Sequence, residues 1–279
     1  MMPAPAQPLF LGQGAAARFG LYHAPAATCR GALLYLHPWA EEMNKSRRMA
    51  ALQARALAAD GWAVLQLDLH GCGDSAGDFG DASWDSWRAD AALGLDWLQT
   101  TLGGQLPQAP GLWGLRLGAL LALDYAAQPI GRAPSQLLLW QPVLQGASHL
   151  TQFLRLRVAA RMLGEGGADT GTSALRATLA AGTPLEIAGY TLSPDLAAAI
   201  DQLDASRLAP PCPVHWLEVV AAEGRPLPPA AQRVLQAWHH TDGRAQTVAG
   251  PQFWASQEIA EAPALLDATR AMLLEACHA

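Results

Sequence analysis

The chain has 279 residues, of which 51% are hydrophobic, enough to bury one large α/β core, with or without a small inserted lid, and without disulfide support. The net charge of −6, and the lack of any Lys/Arg cluster interleaved with aromatic residues, argue against nucleic acid as a partner. Apolar stretches are interrupted well short of the ~20 residues that a membrane span requires, so we expect no transmembrane segment.

Strand and helix signals alternate along the first half of the chain. Residues 31–36 form a short apolar run, and a polar stretch from Glu41 opens a helical pattern that continues to Ala59. A second apolar run over residues 62–68 precedes a glycine-rich loop and a helical pattern over residues 85–101. This alternation is typical of strands joined by crossover helices.

A third apolar run, residues 111–113, leads into Gly114-Leu115-Arg116-Leu117-Gly118, and a helical pattern follows from Ala119. This is the strand, turn and helix context in which an α/β-hydrolase places its nucleophile as G-x-S-x-G. Here the central residue is arginine, whose guanidinium stays protonated and offers only hydrogen-bond donors. The position therefore predicts an anion binder instead of a nucleophile. A plain alternative is that the two glycines only allow tight packing of helix on strand.

Two further buried strand candidates, residues 136–140 and 214–220, complete the prediction of an α/β fold with a mostly parallel sheet covered by helices on both faces. Between them the strand rhythm stops, and Ala/Leu-rich helical stretches follow one another. We interpret residues 146–207 as a helical cap or lid inserted into a core made of residues 1–145 and 208–279. Plain packing helices would suit the same composition.

The four cysteines, Cys29, Cys72, Cys212 and Cys277, show no C-x-x-C spacing, and no Cys/His pair suggests a metal ligand set. No signal peptide is recognisable at the start of the sequence. We therefore expect reduced thiols, no metal, no cofactor and a cytoplasmic location.

Four motifs carry a resemblance to a known family. Three lie in the N-terminal half: HPWAEEMNKSRRM at residues 37–49, DLHGCGDS at residues 68–75 and WGLRLG at residues 113–118. A weaker match is GPQFW at residues 250–254. The chain resembles the α/β-hydrolases and, more narrowly, the exosortase A system-associated hydrolase 2 family of proteobacteria. The resemblance implies the α/β-hydrolase fold, hydrolysis by family name, and an association with machinery for exopolysaccharide production and for sorting exported proteins.

A serine-hydrolase triad can be searched for residue by residue. Ser75 lies in a G-x-S-like stretch, but it follows an earlier strand, so we interpret it as a capping residue. Glu218 is a better candidate for the acid than Glu223, although a strand glutamate that pairs with an arginine or faces solvent is the alternative. No histidine follows the last strand, where Phe253 stands instead, and the adjacent pair His239-His240 precedes that strand.

The sequence thus lacks both the nucleophile and the base of a triad. The charge of Arg116 is expected at the N-terminus of a buried helix, where it needs an anionic partner. If Glu41, Glu42 or Glu218 pairs with Arg116, an internal ion pair plugs the old active site; if none does, the pocket can hold an anionic ligand. The residues that we expect to line this ligand site are His37, Trp39, Glu41, Glu42, Asn44, Arg116, Leu117 and Phe253.

Three interpretations of function remain open. The preferred one is a non-catalytic or anion-binding protein of the exosortase A and exopolysaccharide system, with a small anionic ligand or a protein of that system as its partner. The second is an active esterase, thioesterase or peptidase acting on an ester-type substrate, which would use Ser75 or Ser46 as nucleophile, or a glutamate with His37 or His70 to activate water. The third is an interaction module that uses loop-adjacent tryptophans, namely Trp39, Trp84, Trp87 and Trp254.

Overall fold

A mostly parallel sheet forms the centre of the computed structural model, which describes residues 4–163, 171–239 and 242–276. The described strands are β1 (Gln7–Leu11), β2 (Arg18–His23), β3 (Gly31–Leu36), β4 (Trp62–Leu67), β5 (Gly111–Leu115), β6 (Leu137–Trp140), β7 (Leu185–Ile187), β8 (Tyr190–Leu192), β9 (Val214–Val220) and β10 (Gly243–Ala249). Eight of them form one sheet in the order β1-β2-β4-β3-β5-β6-β9-β10. The predicted α/β fold class is therefore confirmed.

The six strands from β4 to β10 in this sheet run parallel, whereas β1 and β2 are antiparallel additions at one edge. Leu33 of β3 lies opposite Val64 of β4 on one side and Gly111 of β5 on the other. All six residues of β3 are buried. A parallel strand between covered faces needs such an uninterrupted apolar run, which is why β3, β4 and β5 were predictable.

Helices cover both faces of the sheet. They are α1 (Ala40–Ala59), α2 (Trp84–Leu102), α3 (Leu117–Ala127), α4 (Gly146–Leu163), α5 (Thr172–Ala180), α6 (Pro194–Asp201), α7 (Pro229–Ala237) and α8 (Pro263–Ala276). Leu57 of α1 and Leu265 of α8 belong to the core on one face, while Leu95 of α2 and Leu121 of α3 belong to the core on the other. Helix α2 begins one residue before its predicted start, directly after the capping box that Ser83 forms with Ser86.

The segment between β6 and β9 contains α4, α5, α6 and a two-stranded antiparallel ribbon of β7 and β8. Phe153 of α4 packs against Trp39, with 4.5 Å between ring centroids, and Tyr190 of β8 packs against Phe79 at 5.2 Å. The predicted helical stretches are present, but the ribbon was not predicted, and residues 164–170 of the predicted cap lie outside the described residues. The division into core and cap stays a prediction.

Candidate functional site

The G-x-R-x-G turn between β5 and α3 has the geometry of a nucleophile elbow. Arg116 has φ 56° and ψ −116°, so its backbone lies in a region that non-glycine residues rarely adopt. A Cβ added to Gly114 would lie 2.4 Å from the Ala119 Cα, and one added to Gly118 would lie 2.1 Å from the Leu36 carbonyl oxygen. Both glycines are therefore required by close backbone packing, which in turn presents Arg116 at the carboxyl edge of the sheet.

Backbone strain is concentrated at this edge. Ala40 (φ 49°), Arg116 (φ 56°) and Gln141 (φ 42°) have positive φ without being glycine, and they follow β3, β5 and β6, three neighbouring strands. The Gln141 side chain then accepts a hydrogen bond from the Val219 backbone N–H at 2.7 Å, which ties β6 to β9. Because strained residues of this kind cluster at functional sites, this edge is the place to search for one.

Glu42 is the internal partner of Arg116. The Arg116 Nε lies 3.3 Å from Glu42 Oε1 and 3.4 Å from Oε2, and Nη2 lies 3.3 Å from Oε1. The guanidinium carbon also lies 5.5 Å from the centroid of the Trp254 ring, within cation–π range. Glu41, one residue away, pairs with Lys45 instead. Of the two arrangements left open by the sequence, the structure has the internal ion pair, and its glutamate is Glu42.

The Arg116–Glu42 pair is largely removed from water, with both side chains 17% exposed. Burial raises the pKa of Glu42, while Arg116 acts in the opposite direction and does not fully offset it. Glu42 lies in the first turn of α1, where the helix dipole favours a carboxylate. Arg116 lies at the start of α3, where the helix dipole disfavours a cation. The Glu42 carboxylate therefore offsets the unfavourable interaction between the Arg116 charge and that dipole.

His37 is a structural residue. Its Nε2 accepts a hydrogen bond from the Leu69 backbone N–H at 3.1 Å, so Nδ1 carries the proton and donates to the Pro38 carbonyl oxygen at 2.7 Å. Burial lowers the pKa of His37, which favours this neutral form. With both ring nitrogens engaged inside the protein, His37 has no free nitrogen to activate water, and it lines neither of the cavities that contain Arg116 or Glu42.

The hydroxyl of Ser75 is also engaged. It donates to the Asp68 carbonyl oxygen and accepts from the Phe19 backbone N–H at 2.9 Å, so it joins the β4 loop to β2. The role is structural, as expected, but the hydroxyl holds the loop after β4 against β2 and does not cap the segment that follows it. Ser46 is completely buried inside α1 and its hydroxyl has no partner among the described residues. Neither serine is placed like a displaced nucleophile.

Glu218, the candidate acid, is 3% exposed on β9. Its Oε1 accepts a hydrogen bond from the Trp216 indole at 2.9 Å. Burial raises its pKa to about 7, against the opposing effects of the Trp216 hydrogen bond and the Arg116 charge. The alternative for Glu218 was a strand glutamate that pairs with an arginine or faces solvent, and the structure has neither arrangement. Glu218 does not face solvent, and its carboxylate accepts a hydrogen bond from an indole.

Phe253, at the position expected for the base, is completely buried and packs against Trp140 and Trp254. It belongs to the core and lines neither of the cavities that contain Arg116 or Glu42. His239 is exposed at the end of α7, and His240 lies outside the described residues. The tryptophans that suggested an interaction module are at most 6% exposed: Trp39, Trp84, Trp87 and Trp254. They are buried core residues, and of the four only Trp39 lines either of the cavities beside Arg116 and Glu42.

Two cavities adjoin the Arg116–Glu42 pair. The larger, of about 420 Å³, is lined by Arg116, the β6–α4 connection, α4 and α7, and the smaller, of about 150 Å³, by Glu41, Glu42, Trp39 and α4. His149 of α4 lines both. His149 was not predicted as a site residue. Its sequence position, four residues before Phe153, indicates only that it shares the buried face of α4.

The remaining expected ligand residues divide among the smaller cavity, the interior and the surface. Trp39, Glu41 and Glu42 line the smaller cavity, as expected for a site beside Arg116. Leu117 is 1% exposed and lines neither of the two, and Asn44 is exposed and lies 3.5 Å from the Tyr190 hydroxyl. Within the described ranges, no group of three His, Cys, Asp or Glu residues is arranged to hold a metal, and no helix is long and apolar enough to cross a membrane.

Comparisons with known proteins identify the class of fold. No protein-family model matches the chain, and no curated protein matches it. Among solved structures, Est1E from Butyrivibrio proteoclasticus with bound ferulic acid gives a TM-score of 0.66 at 16% identity, covering 96% of this chain and 98% of that one. A soluble variant of monoglyceride lipase from Saccharomyces cerevisiae gives 0.66 at 14% identity, covering 98% and 94%.

A putative hydrolase from Agrobacterium vitis gives a TM-score of 0.58 at 21% identity, covering 96% of this chain and 98% of that chain. At such identities the likeness establishes the fold alone. The chain has the α/β-hydrolase fold, and its G-x-R-x-G turn occupies the position of the nucleophile elbow in that fold.

Proposed function

We propose that this chain is a non-hydrolytic protein of the α/β-hydrolase fold that acts as an anion-binding or scaffolding partner in the exosortase A and exopolysaccharide system of bacteria. The observation that carries the non-hydrolytic part is Arg116 at the elbow, with its guanidinium between Glu42 and Trp254. The association with that system, and a cytoplasmic location, rest on the resemblance of residues 37–49, 68–75 and 113–118.

Each part of a triad has a specific deficiency. Arginine at the elbow cannot attack a carbonyl, the Phe253 ring cannot accept a proton, and Glu218 with a pKa of about 7 is only partly ionised at neutral pH. Loss of a nucleophile or a base alone lowers kcat by roughly a millionfold in a triad enzyme. A protein with both replaced retains only what its pocket and backbone amides can bind.

The alternative is an active hydrolase with a non-standard arrangement, and one observation favours it. A carboxyl group with a pKa near 7, such as Glu218, is suited to general-base catalysis at neutral pH. Two facts weigh against it: Glu218 is 3% exposed, and it lines neither of the two cavities beside Arg116.

The enzymatic test is hydrolysis of p-nitrophenyl acetate and p-nitrophenyl octanoate, with fluorophosphonate labelling of reactive serines. We expect no turnover above buffer and no labelling for the natural chain, for Arg116→Ala or for Ser75→Ala. Turnover that disappears in Glu218→Gln would establish the alternative, and labelling that disappears in Ser75→Ala would make Ser75 a nucleophile.

The cellular test is deletion of the gene in a bacterium that carries an exosortase A system, with measurement of secreted exopolysaccharide. We expect the yield to fall and to be restored by the natural chain. A yield that deletion leaves unchanged would contradict the proposed association, whatever the esterase assay gives.

A further inference from the structure

The cavity of about 420 Å³ carries more positive than negative charge. Two guanidiniums line it, those of Arg116 and Arg233, and its one carboxylate belongs to Asp204. Oδ1 of Asp204 already accepts hydrogen bonds from the backbone N–H and the hydroxyl of Ser206, at 2.9 and 2.7 Å. Arg233, on the exposed side of α7, has no ion pair among the described residues. Glu42 balances Arg116 from the neighbouring cavity, so the guanidinium at this cavity that has no ion pair among the described residues is that of Arg233.

His149 provides a second, independent indication of a ligand. Its side chain lines the cavity, the residue is 6% exposed, and neither ring nitrogen has a hydrogen-bond partner in the described part of the chain. A buried imidazole without partners is costly, so a group that can bond to it would be favoured there. Trp39 packs against the ring, with 5.4 Å between centroids, and fixes its position. Burial and the Arg116 charge lower the pKa of His149 to about 3, which keeps the ring neutral and able to donate one N–H.

The Arg116–Glu42 pair is weakly held for a charge-assisted contact. Its N···O distances are 3.3 and 3.4 Å, whereas strong bonds between guanidinium and carboxylate are about 2.7–2.9 Å. Arg116 lines the larger cavity, which Glu42 does not line, so a second carboxylate in that cavity can contact the guanidinium.

We infer that the larger cavity binds an organic monocarboxylate, whose carboxylate contacts Arg116 and Arg233 in competition with Glu42; this inference rests on the proposed anion-binding function. A monocarboxylate can replace the single carboxylate of Glu42 at Arg116 without adding a second negative charge, which a phosphate dianion would bring. Val143, Leu144 and Val234 supply an apolar wall for the rest of the molecule. The cavity volume falls in the range of about 300–1,000 Å³ that is usual for small-molecule sites.

Isothermal titration calorimetry with octanoate, octanamide and octyl phosphate tests the inference. We expect octanoate to bind, octanamide to bind at least tenfold more weakly, and octyl phosphate to bind no better than octanoate. Arg233→Gln should weaken octanoate binding about tenfold, because it removes one charge-assisted contact at the rim. Glu42→Gln should strengthen it by a similar factor, because the internal competitor is gone.

Two variants that make the same charge change elsewhere are the controls. Arg225→Gln and Glu258→Gln alter exposed residues that line neither cavity, and both should leave octanoate affinity unchanged. Equal binding of octanamide and octanoate, tighter binding of octyl phosphate, or no effect of Arg233→Gln would each overturn the inference. Arg233 is exposed, so its variant should fold, and circular dichroism verifies this.

The binding and esterase results separate this inference from the proposed function. No octanoate binding together with no ester turnover overturns the ligand assignment and leaves the non-hydrolytic proposal intact. Selective octanoate binding together with ester turnover supports the carboxylate site and overturns the non-hydrolytic proposal.

Discussion

Replacement of Glu218 by glutamine should stabilise the protein at alkaline pH. Glu218 is 3% exposed, and burial raises its pKa from an ordinary value of 4.5 to about 7. Each pKa unit corresponds to about 1.4 kcal/mol, so ionising Glu218 in the folded state costs about 3 kcal/mol more than in the unfolded chain. Because the folded pKa is the higher one, stability present below about pH 4.5 is lost as the pH rises to about 7.

Glutamine retains a carbonyl oxygen for the Trp216 indole and cannot ionise. At pH 4 we expect Glu218→Gln and the natural chain to have similar free energies of unfolding. At pH 8 the variant should be more stable by up to about 3 kcal/mol. Urea unfolding at pH 4, 6 and 8, followed by circular dichroism, measures this difference. Glu258→Gln, at an exposed position, is the control and should show no such dependence on pH.

A variant that is destabilised equally at pH 4 and pH 8 would refute this reasoning. That result would mean that folding leaves the pKa of Glu218 unchanged, so that the carboxyl group is ionised at pH 8 in the folded protein as in the unfolded chain. The outcome also bears on chemistry, because the acid of a triad must be ionised to stabilise an imidazolium. A neutral Glu218 could not fill that role even if a histidine were introduced at Phe253.

Two further predictions concern the elbow. Arg116→Ala should destabilise the protein by about 3 kcal/mol at pH 7, because Glu42 loses its partner while ionised, and by less at pH 4. Urea unfolding at both pH values measures the two losses, and equal losses would contradict the prediction. Gly118→Ala should cost more than about 3 kcal/mol, since its Cβ would lie 2.1 Å from the Leu36 carbonyl oxygen. Gly104→Ala, with no atom within 4 Å of the new Cβ, should change the melting temperature little, and a similar drop in both variants would refute the packing argument.

The interior strands of the fold were predictable because their environment allows few residue types. β3 and β4 lie between covered faces and need apolar side chains at nearly every position, so their runs are conspicuous in the sequence. β1 is mostly exposed at the sheet edge and has no such run. β7 and β8 have three residues each, too few for any periodicity to be recognised.

The site was predictable only where local backbone geometry dictates the residues. Gly114 and Gly118 are required by the turn itself, so the spacing identified the elbow. Glu41 and Glu42, in contrast, differ only by one step around α1, and the choice between them depends on how that helix packs. His149 reaches Arg116 through the tertiary packing of α4, which no local pattern specifies.

An arginine at the elbow is a poor choice for a residue that only fills space. Its backbone is strained, which costs about 1–3 kcal/mol, and its charge lies at the N-terminal end of α3, where the helix dipole opposes a cation. An apolar side chain would avoid the charge penalty and bury more favourably beside Trp254. A guanidinium that has a carboxylate partner at 3.3 Å and also lines a cavity is instead suited to reversible binding of an anion.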